Sequence, residues 1–208
     1  GISVKHSQKP MRILSRAEQQ ALSKYLYAEL NPCNLGILIC LYTGLRIGEI
    51  CALKWKDISF EEQYLYVHQT MQRLQMKESE GTKTAVIIST PKSDCSIRDI
   101  PLPSFLVEIA GQFAGHPKAF ILSGKRGKYV EPRTMQNHFK AYIAESGIDN
   151  ANFHALRHTF ATRCVEVGFE IKSLSEVLGH SNVNITLNRY VHSSFELKHT
   201  NMNKLAFI

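Results

Sequence analysis

The C-terminal part of the chain carries polar side chains of the types that handle phosphate groups. His154 and Arg157 lie three residues apart, so on a helix they share one face. His180 and Tyr190 follow within segments that are otherwise apolar or small. A guanidinium offers a planar fork of donors to a phosphate, and an imidazole donates or carries a proton near neutral pH. A phenol beside such groups is suited to attack phosphorus, which predicts an enzyme that acts on nucleic acid.

The predicted nucleophile is Tyr190. A free phenol has a pKa of about 10, so attack on phosphorus needs cationic neighbours or a base to stabilise the developing phenolate. Attack would leave a 3′-phosphotyrosine and release a 5′-OH. Because the phosphoester energy stays in the protein–DNA link, rejoining would need neither ATP nor a metal, and we expect no cofactor. The chain contains no GxxxxGK[ST] run and no cluster of carboxylates for Mg²⁺.

Arg46 is the second guanidinium of the predicted site. It follows a predicted helix break at Gly44, so its side chain can project from a helix end toward an anion. Paired with Arg157 it would form a clamp on a pentacoordinate phosphate, each arginine supplying about 3 kcal/mol. Glu49, one turn later, is placed to orient Arg46 by a hydrogen bond. Taken alone, a surface arginine and a solvated helix pair are equally good interpretations.

Together these residues resemble the catalytic domain of the tyrosine recombinases, the integrases of phages and conjugative elements. The resemblance spans residues 9–191, and it is greatest to integrases of Gram-positive mobile elements. The matching pieces, in the family's order, are Thr43-Gly44-Leu45-Arg46-Ile47-Gly48-Glu49, Lys92, His154-Ala155-Leu156-Arg157-His158-Thr159, Leu178-Gly179-His180-Ser181 and Tyr190.

The resemblance implies a site-specific recombinase whose catalytic residues are Arg46, Lys92, His154, Arg157, His180 and the nucleophile Tyr190. An ammonium on a β-turn can protonate the leaving 5′ oxygen, and Lys92 is the best match, with Lys83 as the alternative. A plain exposed strand lysine is the other interpretation of Lys92. His158 points about 100° from Arg157 on a helix, which indicates a core or supporting role. His68, His116, His138 and His199 are predicted to be structural.

The elements that must position these residues are mostly helices. Ser15-Arg16-Ala17-Glu18 has the form of a capping box and predicts a helix start. Helices are predicted at about residues 32–42, 47–53, 105–113, 134–146, 154–167, 171–178 and 184–192. Four strands at residues 57–60, 64–68, 84–88 and 96–100 predict one small antiparallel sheet, with 72–83 as an exposed loop or hairpin tip. The predicted fold is mainly α with a small antiparallel β-sheet (α+β), the tyrosine recombinase catalytic-domain fold.

Composition favours a soluble nucleic-acid-binding protein. The 208 residues carry a formal charge of +7, which favours a polyanionic partner. No apolar run approaches the ~18 residues of a membrane span, and five cysteines without a CxxC pair suggest a reducing cytoplasm. We expect double-stranded DNA as the partner, and no membrane. The cations predicted to neutralise its phosphates are Lys83, Lys125, Arg126, Lys128 and Arg133. A basic surface that only gives solubility is the alternative.

Three segments are predicted along the chain. Residues 1–13 are a linker or an expression remnant, 14–192 the catalytic domain, and 193–208 a C-terminal tail. The tail ends in Leu205-Ala206-Phe207-Ile208, and the resemblance implies docking on a neighbouring subunit of a dimer or tetramer on DNA. A tail folded back on its own domain is equally consistent, and N-terminal DNA-binding domains are expected to precede this chain. The two rival functions are a type IB topoisomerase and a DNA-binding module without catalysis.

Overall fold

The structure, a computed structural model, describes residues 11–78, 81–91, 93–191, 199, 202 and 203, and only the backbone of 76–78 and 81–83. The helices are α1 (Arg16–Ala28), α2 (Pro32–Thr43), α3 (Ile47–Ala52), α4 (Ser104–Gly111), α5 (Pro132–Glu145), α6 (His154–Glu166), α7 (Ile171–Leu178) and α8 (Val183–Tyr190). The strands are β1 (Ile58–Ser59), β2 (Tyr64–Val67), β3 (Thr70–Glu78), β4 (Gly81–Ser89) and β5 (Arg98–Pro101). The mainly helical α+β fold is as predicted.

Helix α1 begins, and α2 both begins and ends, where the sequence predicts. Ser15 and Glu18 form the capping box of α1, each side chain bonding the other's backbone N–H. Asn31 caps α2, and Pro32 occupies its first turn, where a missing N–H costs nothing. Gly44 ends α2 with a φ of 67°, a left-handed conformation that glycine adopts without strain. That turn directs the chain to Arg46, the residue that caps the start of α3.

The strands form two sheets instead of the single sheet predicted. One sheet has the antiparallel order β1-β2-β5, and the other is the hairpin of β3 and β4. Residues 72–83 were predicted to form an exposed loop or a hairpin tip. The hairpin alternative is right and the loop alternative is wrong, because strand pairing runs from Thr70 and Ser89 to Glu78 and Gly81. The polar composition of β3 suggested a loop. The backbone of β3 is hydrogen-bonded to that of β4, and the apolar side chains of β4, Val86 and Ile88, pack on the core.

The hairpin lies close against α3. Gly48 makes this approach possible, since a Cβ there would lie 2.7 Å from the carbonyl oxygen of Met71 in β3. Arg73 of β3 also forms an ion pair with Glu131, the residue that precedes α5, with an Nη2–Oε1 distance of 2.7 Å. The hairpin is therefore fixed both to the helix that begins at Arg46 and to the start of α5.

Buried apolar side chains form a large core and a smaller satellite. The large core takes residues from α1 to α6 and from the β1-β2-β5 sheet. The satellite lies among α6, α7 and α8, and its members are Ala161, Cys164, Leu174, Leu178 and Tyr190. The one buried tyrosine of the described residues is thus held by apolar packing at the end of α8. Among the described residues, none of the helices is long and apolar enough to cross a bilayer.

Candidate active site

The C-terminal end of α7 collects three arginines that are far apart in the sequence. Consecutive carbonyl oxygens of this end accept one hydrogen bond each. Arg98 Nε donates to Val177 O at 2.6 Å, Arg157 Nη2 to Leu178 O at 2.6 Å, and Arg46 Nη2 to Gly179 O at 3.2 Å. A helix C-terminus carries a partial negative charge and unpaired carbonyls, so it attracts cations. The sequence motifs around Arg46 and Arg157 therefore meet on one helix end.

Of the two arginines predicted to clamp the phosphate, Arg157 is more deeply buried than Arg46. Its residue is 2% exposed, and Nη1 donates to Gly44 O at 2.7 Å, the carbonyl just beyond α2. The guanidinium thus joins the ends of α2 and α7. Burial, and then the charge of Arg46, lower the pKa of Arg157 to about 9, so it is still protonated at neutral pH. Its two bonds hold the fork in one orientation, which suits recognition of a planar or tetrahedral oxyanion.

Arg46 lies at the open side of the same group. Its side chain is 36% exposed, and Nη1 donates to Glu49 Oε1 at 2.9 Å. The backbone N–H of Arg46 donates to Glu49 Oε2 at 2.9 Å, so the same carboxylate also caps the start of α3. The hydrogen bond that the sequence suggested between Glu49 and Arg46 is present, and it leaves the guanidinium facing solvent.

Glu49 holds a second arginine that the sequence analysis did not select. Arg98 Nη1 and Nη2 donate to Glu49 Oε1 and Oε2 at 3.1 and 3.0 Å, and both side chains are more than nine-tenths buried. Burial alone would raise the pKa of Glu49, but Arg98 and then Arg46 hold it below its ordinary value. The signal for Arg98 was available, since it shares the inward face of β5 with Ile100. A charged residue on the apolar face of a strand indicates a buried partner.

The two predicted site histidines are held neutral. His154 begins α6, and burial, followed by the charge of Arg157, lowers its pKa. His180 follows Gly179 at the corner after α7, and its Nδ1 lies 2.8 Å from Thr186 Oγ1. Burial and then Arg157 lower the pKa of His180 to about 4. At neutral pH its imidazole therefore carries no charge and can donate only through the nitrogen that bears the proton.

Tyr190 lies at the end of α8 with its hydroxyl turned into this group. The residue is 6% exposed, and its Oη lies 2.8 Å from Nδ1 of His158. Burial raises the pKa of the phenol, while Arg157 and Arg189 act in the opposite direction. The contact of His158 with Tyr190 was not predicted. Sequence spacing carries no signal for a pair 32 positions apart.

The structure does not bring every predicted residue to this group. Lys92 lies outside the described residues, and so does the predicted tail at 193–208, apart from residues 199, 202 and 203. The backbone places Lys83 opposite Met76 in the hairpin, and its side chain is not described. Both candidates for the general acid therefore remain predictions.

The remaining predicted DNA-contacting residues lie on the surface before and within α5. Lys125, Arg126, Lys128 and Arg133 are all exposed. Gln136 of α5 and His154 line one cavity of about 310 Å³. Arg133 is three residues before Gln136, so both lie on the same side of α5. Of these four cations, Arg133 therefore lies on the side of α5 that faces the cavity beside His154.

The order and geometry of these residues agree with a match along nearly the whole chain. Residues 7–196 match the phage integrase family. The chain belongs to that family. The resemblance drawn from the sequence motifs is thereby confirmed, and so is the fold, which phage integrase relatives share.

Individual relatives in the family are recombinases and transposases. A tyrosine recombinase XerC-like protein of Caldanaerobacter subterraneus subsp. tengcongensis is 32% identical over 74% of this chain and 44% of its own length. The transposase of transposon Tn916 from Enterococcus faecalis is 30% identical over 81% of this chain and 44% of its own length. The chain thus spans about half the length of the curated relatives it matches.

Solved structures of the family superpose on the chain. The Tn1549 transposon integrase, in complex with a circular intermediate DNA, has a TM-score of 0.76 at 25% identity, over 96% of this chain and 67% of that one. The XerA recombinase has a TM-score of 0.69 at 20% identity over 100% of this chain and 68% of that one, which shows the shared fold.

Proposed function

We propose that this chain is the catalytic domain of a site-specific DNA recombinase, an integrase that moves a mobile element. The observation that carries the proposal is the position of Tyr190. Its phenol is buried beside Arg157, and that guanidinium is fixed by carbonyls at two helix ends. A preorganised cation of this kind stabilises charge that develops in a transition state without having to reorganise. Membership in the phage integrase family supports the same reaction.

The proposed reaction is attack by Tyr190 on a DNA phosphate. The phenol gives up its proton to a base, and its oxygen forms a bond to phosphorus while the bond to the 5′ oxygen breaks, giving a 3′-phosphotyrosine. Arg46 and Arg157 bind the non-bridging oxygens, and neutral His180 donates a hydrogen bond to one of them. The leaving 5′ oxygen takes a proton from Lys92, or from Lys83 in its place. Attack by a 5′-OH from a second strand reverses these steps, so the reaction consumes neither ATP nor a metal ion.

Double-stranded DNA is the proposed partner. In this proposal, the exposed side chains of Lys125, Arg126, Lys128 and Arg133 neutralise DNA phosphates, and Lys83 of the hairpin does so as well. The Tn1549 integrase, which has a similar fold, is a DNA complex. We further propose that the chain acts in the cytoplasm as a dimer or tetramer on DNA, with the segment at 193–208 contacting a neighbouring copy.

The test is covalent trapping on DNA. The probe is a library of short duplexes with a randomised centre and a nick beside it, so that cleavage releases a short fragment and the reverse reaction cannot occur. In EDTA, the 208-residue chain is expected to form an adduct with the 3′ end, and sequencing the trapped DNA identifies the preferred site. Tyr190→Phe is expected to abolish the adduct, because it removes only the nucleophilic oxygen.

Tyr142→Phe is the matched control. Its hydroxyl also contacts a histidine, since His138 Nδ1 lies 3.3 Å from Tyr142 Oη on α5. This variant should form the adduct at the wild-type rate. An adduct that persists in Tyr190→Phe, or wild-type protein that traps no member of the library, would overturn the proposal. Strand exchange between two trapped sites, scored beside relaxation of a supercoiled plasmid, separates a recombinase from a topoisomerase.

A further inference from the structure

The hydroxyl of Tyr190 has a partner that the mechanism above does not use. His158 Nδ1 lies 2.8 Å from Tyr190 Oη, a normal distance for a strong hydrogen bond. The ring of His158 is in turn packed edge to face on His154, with centroids 4.6 Å apart and planes at 86°. Since α6 fixes both rings and α8 ends at Tyr190, the contact joins two elements in one defined geometry.

The surroundings keep this imidazole neutral in the free protein. Burial is the largest cause, followed by His154 on the same helix, by Arg189 on α8 and then by Arg157. Together they lower the pKa of His158 to about 4. Tyr190 faces Arg157, Arg189 and Arg46, but burial outweighs their charges and raises the pKa of the phenol. A protonated phenol therefore meets an unprotonated ring nitrogen at neutral pH.

We propose that His158 is the general base that takes the phenol proton of Tyr190 during attack on the DNA phosphate. This inference rests on the proposed function. As the Oη–phosphorus bond forms, the Oη–H bond breaks and its proton moves to Nδ1, which makes His158 an imidazolium. The bond from phosphorus to the 5′ oxygen breaks, and the general acid protonates that oxygen. On rejoining, the proton returns from His158 to the departing phenolate.

The bound phosphate offsets part of what opposes this transfer. In the free protein, burial disfavours protonation of His158 most, and the positive groups around it add to this effect. A phosphate held by Arg46 and Arg157 introduces negative charge next to them, and more develops in the transition state. Opposite charge nearby raises the pKa of an imidazole, so the base becomes stronger as the reaction proceeds. The charge of the substrate thus supplies part of the basicity that the transfer needs.

The experiment measures the single-turnover rate of adduct formation against pH, using a duplex trapped by the wild-type protein. His158→Asn retains a hydrogen-bonding group near the Nδ1 position but cannot take up a proton. Wild type should be nearly flat between about pH 6.5 and 8.5. His158→Asn should be slower by about 100-fold at neutral pH, because general-base catalysis contributes on that order. Its rate should rise about tenfold per pH unit, as the phenol must ionise without help.

His138→Asn is the matched control, because it makes the same change at the other histidine whose Nδ1 contacts a tyrosine hydroxyl. It should keep the wild-type rate and pH profile. His158→Gln serves as a second variant if His158→Asn unfolds below the assay temperature. A rate that falls but stays independent of pH would overturn the inference, since a residue that only positions Tyr190 gives that result. An unchanged rate would overturn it as well.

Failure of this inference is distinguishable from failure of the proposed function. If His158 is not the base, the adduct still depends on Tyr190 and only the pH profile of the His158 variants contradicts us. If the proposed function is wrong, the adduct survives Tyr190→Phe or does not form with any duplex.

Discussion

Replacing Glu49 by glutamine should destabilise the domain much more than an exposed carboxylate does. Glu49 is 3% exposed and accepts hydrogen bonds from two arginines, one of them as buried as itself. A glutamine keeps the shape but turns one acceptor oxygen into a donor that faces a guanidinium. Breaking a buried ion pair costs about 3–5 kcal/mol, because it leaves an uncompensated charge. Arg98 keeps two carbonyl partners, so we expect the lower end, about 3 kcal/mol.

Urea denaturation at pH 7 measures this loss, with Glu166→Gln as the control. Glu166 also bridges two arginines, Arg16 at 2.9 Å and Arg163 at 2.7 Å, but its side chain is 36% exposed. Exposed ion pairs contribute about 0–1 kcal/mol, so that variant should lose no more than this. The two carboxylates each bridge two arginines and differ chiefly in burial, although Glu49 also accepts the backbone N–H of Arg46. Equal losses for the two variants would refute the reasoning.

The destabilisation by Glu49→Gln should also depend on pH. The pKa of Glu49 is lower in the folded protein than its ordinary value of 4.5. Its stabilisation is therefore complete above that value and is lost as the pH falls through the lower, folded pKa. The difference in unfolding free energy between wild type and Glu49→Gln should shrink in acid, because wild type then protonates Glu49 as well. A difference that is constant from pH 7 down to about pH 3 would show that the carboxylate charge is not responsible.

Two further pairs of substitutions test the general acid and the turn before Arg46. Lys92→Met should slow cleavage about 100-fold or more on ordinary DNA, and sulfur in place of the bridging 5′ oxygen should restore the rate, because a thiolate leaves without a proton. Lys83→Met should weaken DNA binding without sulfur rescue; the reverse pattern would assign the acid to Lys83. Gly44→Ala should cost about 3 kcal/mol in urea denaturation, from an unfavourable φ of 67° and a Cβ only 2.6 Å from Phe160 Cδ1. Gly147→Ala, with a φ of 69° and nothing within 4 Å, should cost about 1 kcal/mol, and equal losses would show that the contact with Phe160 is unimportant.

Local chemistry explains which parts of the fold the sequence could predict. The capping box at Ser15 and the helix end at Gly44 depend on residues within one turn of each other, and both are as predicted. The hairpin depends on pairing across strands, where Met71 faces Ile88, and the polar residues of β3 concealed it. A strand whose partner supplies the apolar face does not show the alternation that identifies strands in a sequence.

The same distinction holds within the candidate site. Arg46 and Arg157 could be selected because each lies in a motif of neighbouring residues. Arg98 belongs to no such motif, and its partner Glu49 is 49 positions away. The contact between His158 and Tyr190 depends on where α6 and α8 meet, which no local pattern fixes. Residues that act through a distant partner were therefore the ones that sequence reasoning did not find.

The carbonyl oxygens at the C-terminal end of α7 stabilise a group of three arginines, whose excess positive charge suits a phosphate transition state. Three guanidiniums and one carboxylate leave an excess of two positive charges around Val177, Leu178 and Gly179. In the free protein, carbonyl oxygens at the negative end of the helix reduce the repulsion among them. A phosphodiester carries one negative charge and gains another when a fifth oxygen attacks, so the excess is better matched in the transition state than in the bound substrate. Interactions that strengthen only in the transition state are those that accelerate a reaction. In the proposed reaction, the arrangement would therefore favour catalysis over tight binding of DNA.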